Sequence, residues 1–287
     1  MTSADATGTN FAAWVEHFEN NRVVQVAMER EIDWDTPCEL PESVKVALVK
    51  SFQRFELGEN GDGARLLAKA EQAGDTVYLD ALRRLVVEEQ RHSELFRRGL
   101  GHLGASTLSA HWSDAAFTRL RRLLGLRTEL ALFLVAESVA MGYFTALRSS
   151  GPDPVIRGIG RRVESDELNH LRFQIDRLRQ GFASTPAVVR VAVGLAWGVV
   201  AAGAATVLVV DHAGALRACG LRPAAFWLTA TRTFAVSALQ VLRRQGAFLG
   251  PAKLPSQPVL DPVEQLPPQT GRRARRPDRG GSDGREL

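Results

Sequence analysis

Leu85-Val86-Val87-Glu88-Glu89-Gln90-Arg91-His92-Ser93-Glu94-Leu95-Phe96 sets a carboxylate and an imidazole, Glu89 and His92, inside the apolar stripe of a helix. Tyr78, Leu82, Leu85, Glu89, His92 and Phe96 follow one another at steps of three and four, the period of one helical face. Residues three apart on a helix lie about 5–6 Å apart at Cβ, so Glu89 and His92 can hold one ion together. A second tetrapeptide of the same form, Glu167-Leu168-Asn169-His170, repeats the arrangement, with Val163 and Gln174 where Leu85 and Phe96 stand in the first. Solvated charges do not belong on such a stripe.

Thirty residues before each pair stands a further glutamate: Glu59 in Phe55-Glu56-Leu57-Gly58-Glu59, and Glu137 in Phe133-Leu134-Val135-Ala136-Glu137. Each has a Phe four positions upstream and a small residue immediately before it. Glu137 lies in Leu130–Ala140, a stretch otherwise almost wholly apolar, where a lone carboxylate would cost several kcal/mol or take up a proton. The chain therefore holds two copies of helix-Glu, turn, helix-Glu-x-x-His, supplying four carboxylates and two imidazoles when brought face to face. Glu56, one turn before Glu59, competes with it for the first position; the thirty-residue repeat favours Glu59.

This is the ligand set of dimetal carboxylate bundles, and over roughly residues 43–180 the chain resembles the ferritin-like superfamily. Gly58-Glu59-Asn60 with Glu88–His92 is similar to the first half of rubrerythrin-type and acyl-carrier-protein desaturase-type sites, and Asp166–His170 to the second half. The resemblance implies an all-α fold, a ferritin-like four-helix bundle with additional apolar C-terminal helices. It implies two iron ions, or manganese, held by Glu59, Glu89, His92, Glu137, Glu167 and His170, with Asp166 behind them on the Nδ1 proton of a histidine, His92 by preference. Glu88 reads as a solvated or salt-bridged neighbour. The expected activity is that of a non-haem di-iron oxygenase, using O₂ to hydroxylate, N-oxygenate or desaturate a small hydrophobic or aromatic substrate. The alternative is a membrane-associated or iron-handling relative without an organic substrate.

Departures from the family narrow the choice. No paired CxxC marks a rubredoxin module, so electrons would come from an external donor or reductase. The radical-tyrosine position of ribonucleotide reductase small subunits is Phe96, and the extra histidine of arylamine N-oxygenases is Val163. Leu85, Phe96, Phe133, Met141, Phe144 and Val163 are candidates to line an apolar substrate site.

Outward from the site, the reading is helical throughout. A helix is expected from Ser43 to about Ala73, a second from a cap at Asp75 to Gly99–Gly104, a third from a cap at Ser113 or Asp114 to about Leu147, and a fourth over Val155–Gln180. Two apolar helices follow near 186–210 and 222–247, the first ending at Asp211-His212. A ferritin-like crossover must run the length of a helix of about 24 residues, ~36 Å, and the link from Gly99 to Ala110 reaches roughly 40 Å when extended. Gly99-Leu100-Gly101-His102-Leu103-Gly104 matches GxGxxG but follows a helix rather than a strand, so it reads as a C-cap. His17, His102, His111 and His212 read as surface or loop residues, and the five tryptophans as core or helix-packing residues.

Residues 1–42 form an N-terminal extension, 43–250 the helical domain, and 251–287 a disordered tail with seven of the 13 prolines and the run Arg272-Arg273-Ala274-Arg275-Arg276. Outside the tail, 29 basic residues face 27 acidic ones, a balance unsuited to gripping nucleic acid. Two distant cysteines, Cys38 and Cys219, and a polar start at Met1–Asn10 point to a cytoplasmic, reducing setting. Val191–Val210 is uncharged and long enough to span a bilayer, yet nine of its twenty residues are Gly or Ala; burial in the body is the favoured reading, with membrane contact or a homodimer as the alternatives.

Overall fold

The computed structural model describes residues 10–112, 119, 125–244 and 248–251. Among them are eight helices and no strand: α1 (Phe11–Arg30), α2 (Glu42–Glu59), α3 (Ala64–Gln72), α4 (Thr76–His102), α5 (Leu126–Ser150), α6 (Pro154–Phe182), α7 (Ala187–Ala218) and α8 (Pro223–Leu242). The starts of α4 and α6 follow from their caps. Asp75 accepts a hydrogen bond from the Tyr78 amide, and Asp153, just before Pro154, accepts from the amides of Val155 and Ile156.

Cross-contacts fix the directions of the helices. Phe52 meets Phe96, and the carbonyl of Glu56 accepts from Ser93 Oγ, so α2 and α4 run antiparallel. Glu164 takes Thr145 Oγ1 and Arg148, while Glu137 takes Gln174, which makes α5 and α6 antiparallel. His92 meets Asp166 and His170 meets Glu88, so α4 and α6 are also antiparallel. Gly160 permits the close approach of α6 to α5: a Cβ there would lie 2.5 Å from the Arg148 amide nitrogen and 2.6 Å from the Leu147 Cβ.

Three expected boundaries move. The helix expected over 43–73 breaks after Glu59, because Gly58, Gly61 and Gly63 crowd the stretch. Gly63 takes φ +62°, and the Asp62 carboxylate then caps α3 at the Ala64 amide. The caps expected at Ser113 or Asp114 lie outside the described residues, and the helix bearing Glu137 starts at Leu126, after a non-helical Gly125. The apolar helix expected to end at Asp211-His212 continues two more turns and stops at Cys219-Gly220, where Gly220 takes φ +76° and the Leu221 amide bonds back to the Leu216 carbonyl. Residues 245–247, at the expected end of the last helix, and 252–287, nearly all of the expected tail, lie outside the described residues.

Within the expected N-terminal extension, α1 packs along α4 and α6. Trp14 is fully buried and donates its indole N–H to Asp176 Oδ2 at 3.1 Å, and Phe11 and Phe18 edge against Phe173. Trp112 does not join the core and is 59% exposed.

Candidate dimetal site

Glu89 and His92 project from α4 and Glu167 and His170 from α6, at one level of the antiparallel pair. One ligand atom from each lies within 4.8 Å of the others, a spacing a bound ion can span. His92 Nδ1 is 3.2 Å from Glu167 Oε1 and 3.5 Å from Glu89 Oε2; His170 Nδ1 is 3.0 Å from Glu89 Oε1 and 3.8 Å from Glu167 Oε1. Each imidazole thus faces the carboxylates of both helices.

The opposite ring nitrogens are tied down crosswise. His92 Nε2 lies 3.0 Å from Asp166 Oδ2 on α6, and His170 Nε2 lies 2.9 Å from Glu88 Oε2 on α4. A proton on each Nε2, held by a carboxylate, leaves each Nδ1 lone pair turned inward. Both Nδ1 atoms, together with Glu167 Oε2 and Glu137 Oε2, are buried without a hydrogen-bond partner. Buried polar atoms are almost always paired, so these orphans of ligand chemistry, three of them on residues of the four-residue cluster, suit a cation that none of the described residues supplies.

Two expectations change here. Asp166 does hold His92, but through Nε2 rather than Nδ1, because the ring enters from α4 with its Nδ1 edge toward the carboxylates. Of the two readings of Glu88, the solvated one fails and the paired one holds: it is 3% exposed and does for His170 what Asp166 does for His92. The signal was in the sequence, since Glu88 precedes Glu89 as Asp166 precedes Glu167.

α1 completes the outer layer with residues that sequence reasoning missed. Asn21 Nδ2 donates to Glu88 Oε1 and Asp166 Oδ1, both at 2.9 Å, and Gln25 donates to the same two carboxylates. The fully buried Arg162, one turn before Asp166, pairs with it and lies 3.5 Å from Glu29. Burial pushes the Asp166 carboxyl up, but the His92 hydrogen bond and the Arg162 guanidinium outweigh it and hold the group below its ordinary range.

Glu59 ends α2 beside this cluster. Burial, and then Glu89 and Glu167 across from it, push its carboxyl well above the ordinary range. Glu137, on α5, is pushed up in the same way by burial and by Glu167 and Glu89, and it accepts a hydrogen bond from Gln174. Glu89 is the counterweight: against its burial, His170 and His92 hold it well below. Carboxylates that raise one another in this way are relieved by cations placed among them. Glu56 is buried on another side of α2, its nearest polar neighbours being Ser93 and Arg97.

Glu59, Glu89, Glu137 and Glu167 form the polar floor of a cavity of ≈490 Å³; neither histidine reaches it. Leu85, Phe133 and Phe144 line its apolar wall as expected, whereas Phe96, Met141 and Val163 are buried in the core behind it. α7 closes the cavity with Val200, Ala204, Val207 and Leu208. At its far end stand Arg54 and Asp211, 3.5 Å apart, and His212, which with Ser51 and Tyr143 forms a buried chain of contacts of 2.7 and 2.6 Å. A larger cleft of ≈680 Å³, lined by Asp75, Arg127 and Arg177, touches none of the site residues. Of the histidines read as surface residues, His212 and the His102 side chain are instead buried.

Comparison of the chain with protein families, curated proteins and solved structures finds no match. The helical fold and the Glu/His cluster therefore carry the functional argument by themselves.

Proposed function

We propose that the chain is a ferritin-like di-iron protein, its α2, α4, α5 and α6 forming the four-helix bundle, and that it uses O₂ to oxidise a hydrophobic organic substrate. The observation that carries this reading is the pair of buried, unpartnered Nδ1 atoms facing Glu89 and Glu167, two carboxylates that in turn floor an apolar cavity. Glu89, His92, Glu167 and His170 would hold the ions, with Glu59 and Glu137 closing the set. Four carboxylates and two neutral imidazoles balance two divalent cations, and oxygen-rich donors suit iron or manganese better than a closed zinc site. Bound there, an iron pair supplies the reducing electrons for O₂ and the oxidising power; a separate reductase restores them.

The chain's own groups have definable tasks. Asp166 and Glu88 hold the Nε2 protons and so fix both imidazoles. The wall of Leu85, Phe133 and Phe144 displaces water and seats an apolar substrate against the carboxylates. Arg54, Asp211 and His212 leave polar recognition to the far end of the cavity.

Anaerobic loading with ferrous ion, followed by metal analysis and exposure to O₂ with hydrophobic and aromatic candidates, tests the reading. Two ions per chain and an oxidised product are expected; one ion per chain, or oxidised iron accumulating without product, overturns it. Glu59→Ala should lose one ion while Glu56→Ala keeps both, and the reverse result would move the ligand back one turn.

A second observation bears on where the substrate comes from. Residues 187–200 of α7 are exposed over about half the circumference of the helix, and the face is apolar throughout. One facing helix covers a stripe about 100° wide. Lipid covers more, so we infer that this face rests on a membrane and that the substrate is lipophilic.

A further inference from the structure

We propose that Cys38, His102 and Asp153 form a zinc site that clamps the α1–α2 linker to the end of α4 and the start of α6. The three come from separate parts of the chain, and their ligand atoms lie within 4.8 Å of one another. His102 Nε2 is 3.1 Å from Asp153 Oδ2, yet the nitrogen makes no aligned hydrogen bond although its side chain is only 4% exposed. Two polar atoms this close and not directed along a shared proton point to a third position between them. Tetrahedral zinc, with bonds of about 2.0–2.3 Å, sets its ligand atoms roughly 3.3–3.6 Å apart, so the histidine and aspartate already stand near that spacing, and the thiol lies within 4.8 Å of both.

The chemistry differs from that of the carboxylate cluster. A thiolate, an imidazole and a carboxylate together carry two negative charges, matching one divalent ion, and thiolate selects zinc over iron or manganese. Asp153 can serve both roles at once: Oδ1 caps α6 at the Val155 and Ile156 amides, and Oδ2 faces His102. Cys38 is held in place beforehand. Trp34 of the same linker lies under the Arg98 guanidinium at 3.8 Å, and both Trp34 and Cys38 pack on the core. Three ligands leave a fourth position for water. The clamp would act on α1, which supplies Asn21 and Gln25 to the outer layer of the dimetal site.

Cobalt(II) added to the full-length chain tests the site, because the carboxylate cluster contains no thiolate and cannot give a sulfur-to-cobalt charge-transfer band. The band should appear in the wild type, survive Glu167→Ala, and be lost in Cys38→Ser and His102→Ala. Zinc should displace the cobalt and protect Cys38 from iodoacetamide. Cys219 does not confuse the alkylation: it is 2% exposed, and burial pushes its thiol up to about 12. Absence of the band from the wild type, its persistence in Cys38→Ser, or unchanged alkylation of Cys38 at saturating zinc overturns the proposal. None of these results depends on the dimetal site being loaded.

Discussion

α5 and α7 are both long and apolar enough to cross a bilayer, yet 78% of the most apolar window of α5 is buried and only 17% of that of α7. α5 lies among α6, α7 and α8 and carries one carboxylate, Glu137, toward the cluster. α7 is divided: Ala201, Ala205, Leu208, His212, Ala215 and Leu216 form a stripe at helical spacing that buries against the body, whereas the first half is held by Arg190, Val193 and Trp197 and leaves the rest of its circumference exposed. Apolarity in a sequence states that a surface must be covered. It does not state by what. In α5 the chain supplies the cover, and in α7 the surroundings must.

The largest effect expected from this difference is on lipid binding. Val191, Leu195 and Val199 are 63%, 70% and 75% exposed, and each would gain about 1.5–3 kcal/mol on full burial. Changing all three to Ser should therefore weaken partition into phospholipid vesicles about a thousandfold, while Tm without vesicles stays put. Flotation with vesicles measures it. A wild-type protein that ignores vesicles but sediments as a dimer, with the triple variant a monomer, would assign the face to a second copy instead.

On the covered side the sign of the comparison reverses. Leu134, on α5, is fully buried, and Leu134→Ala should cost about 2–5 kcal/mol in a urea unfolding series. Leu195→Ala, on the exposed arc of α7, should change stability by no more than about 0.5 kcal/mol. Similar losses for the two would mean that α7 is as enclosed as α5.

The site helices make the same point through polar groups. Asp166→Asn leaves a side chain of the same size but weakens the partner of His92 Nε2, so metal affinity should fall about 10–100-fold with the helices intact. Isothermal titration with manganese(II), alongside circular dichroism, reads both; unchanged affinity would make Asp166 a structural ion-pair partner of Arg162 alone.

How much of this was legible in the sequence depends on the range over which each feature is decided. Glu89, His92, Glu167 and His170 were readable because a helix fixes the relation of residues three apart, and the structure brings those four together. Asp75 and the Asp153-Pro154 start were readable because a cap is a local device. The break at Glu59–Gly63 was missed because apolar periodicity carried through it, although three glycines within six residues marked it. Asn21 and Gln25 could not have been found: nothing local to α1 says that its polar face will meet Glu88 and Asp166 across the bundle. Cys38, His102 and Asp153 were hidden for the same reason, each unremarkable until the fold brings them together.

The smallest effect concerns the buried half of α7. His212 is 8% exposed, and burial, reinforced by Arg54 and His111, pulls its pKa from 6.5 down to about 3. The folded protein therefore keeps this imidazole neutral where the unfolded chain takes up a proton. In the window from 6.5 down to about 3 the unfolded state binds more protons, so stability falls as pH falls. Between pH 6.5 and 5.5 the loss from this one group is about 1 kcal/mol. His212→Gln removes the titration and keeps a polar partner for Ser51, 2.7 Å from the ring nitrogen. The urea midpoint of the wild type should fall relative to that of the variant as pH drops through that interval, whatever the offset at pH 7, because every other titrating group is common to both. Midpoints that fall in parallel would mean that His212 is protonated in the fold, and that the second half of α7 is less enclosed than its buried stripe requires.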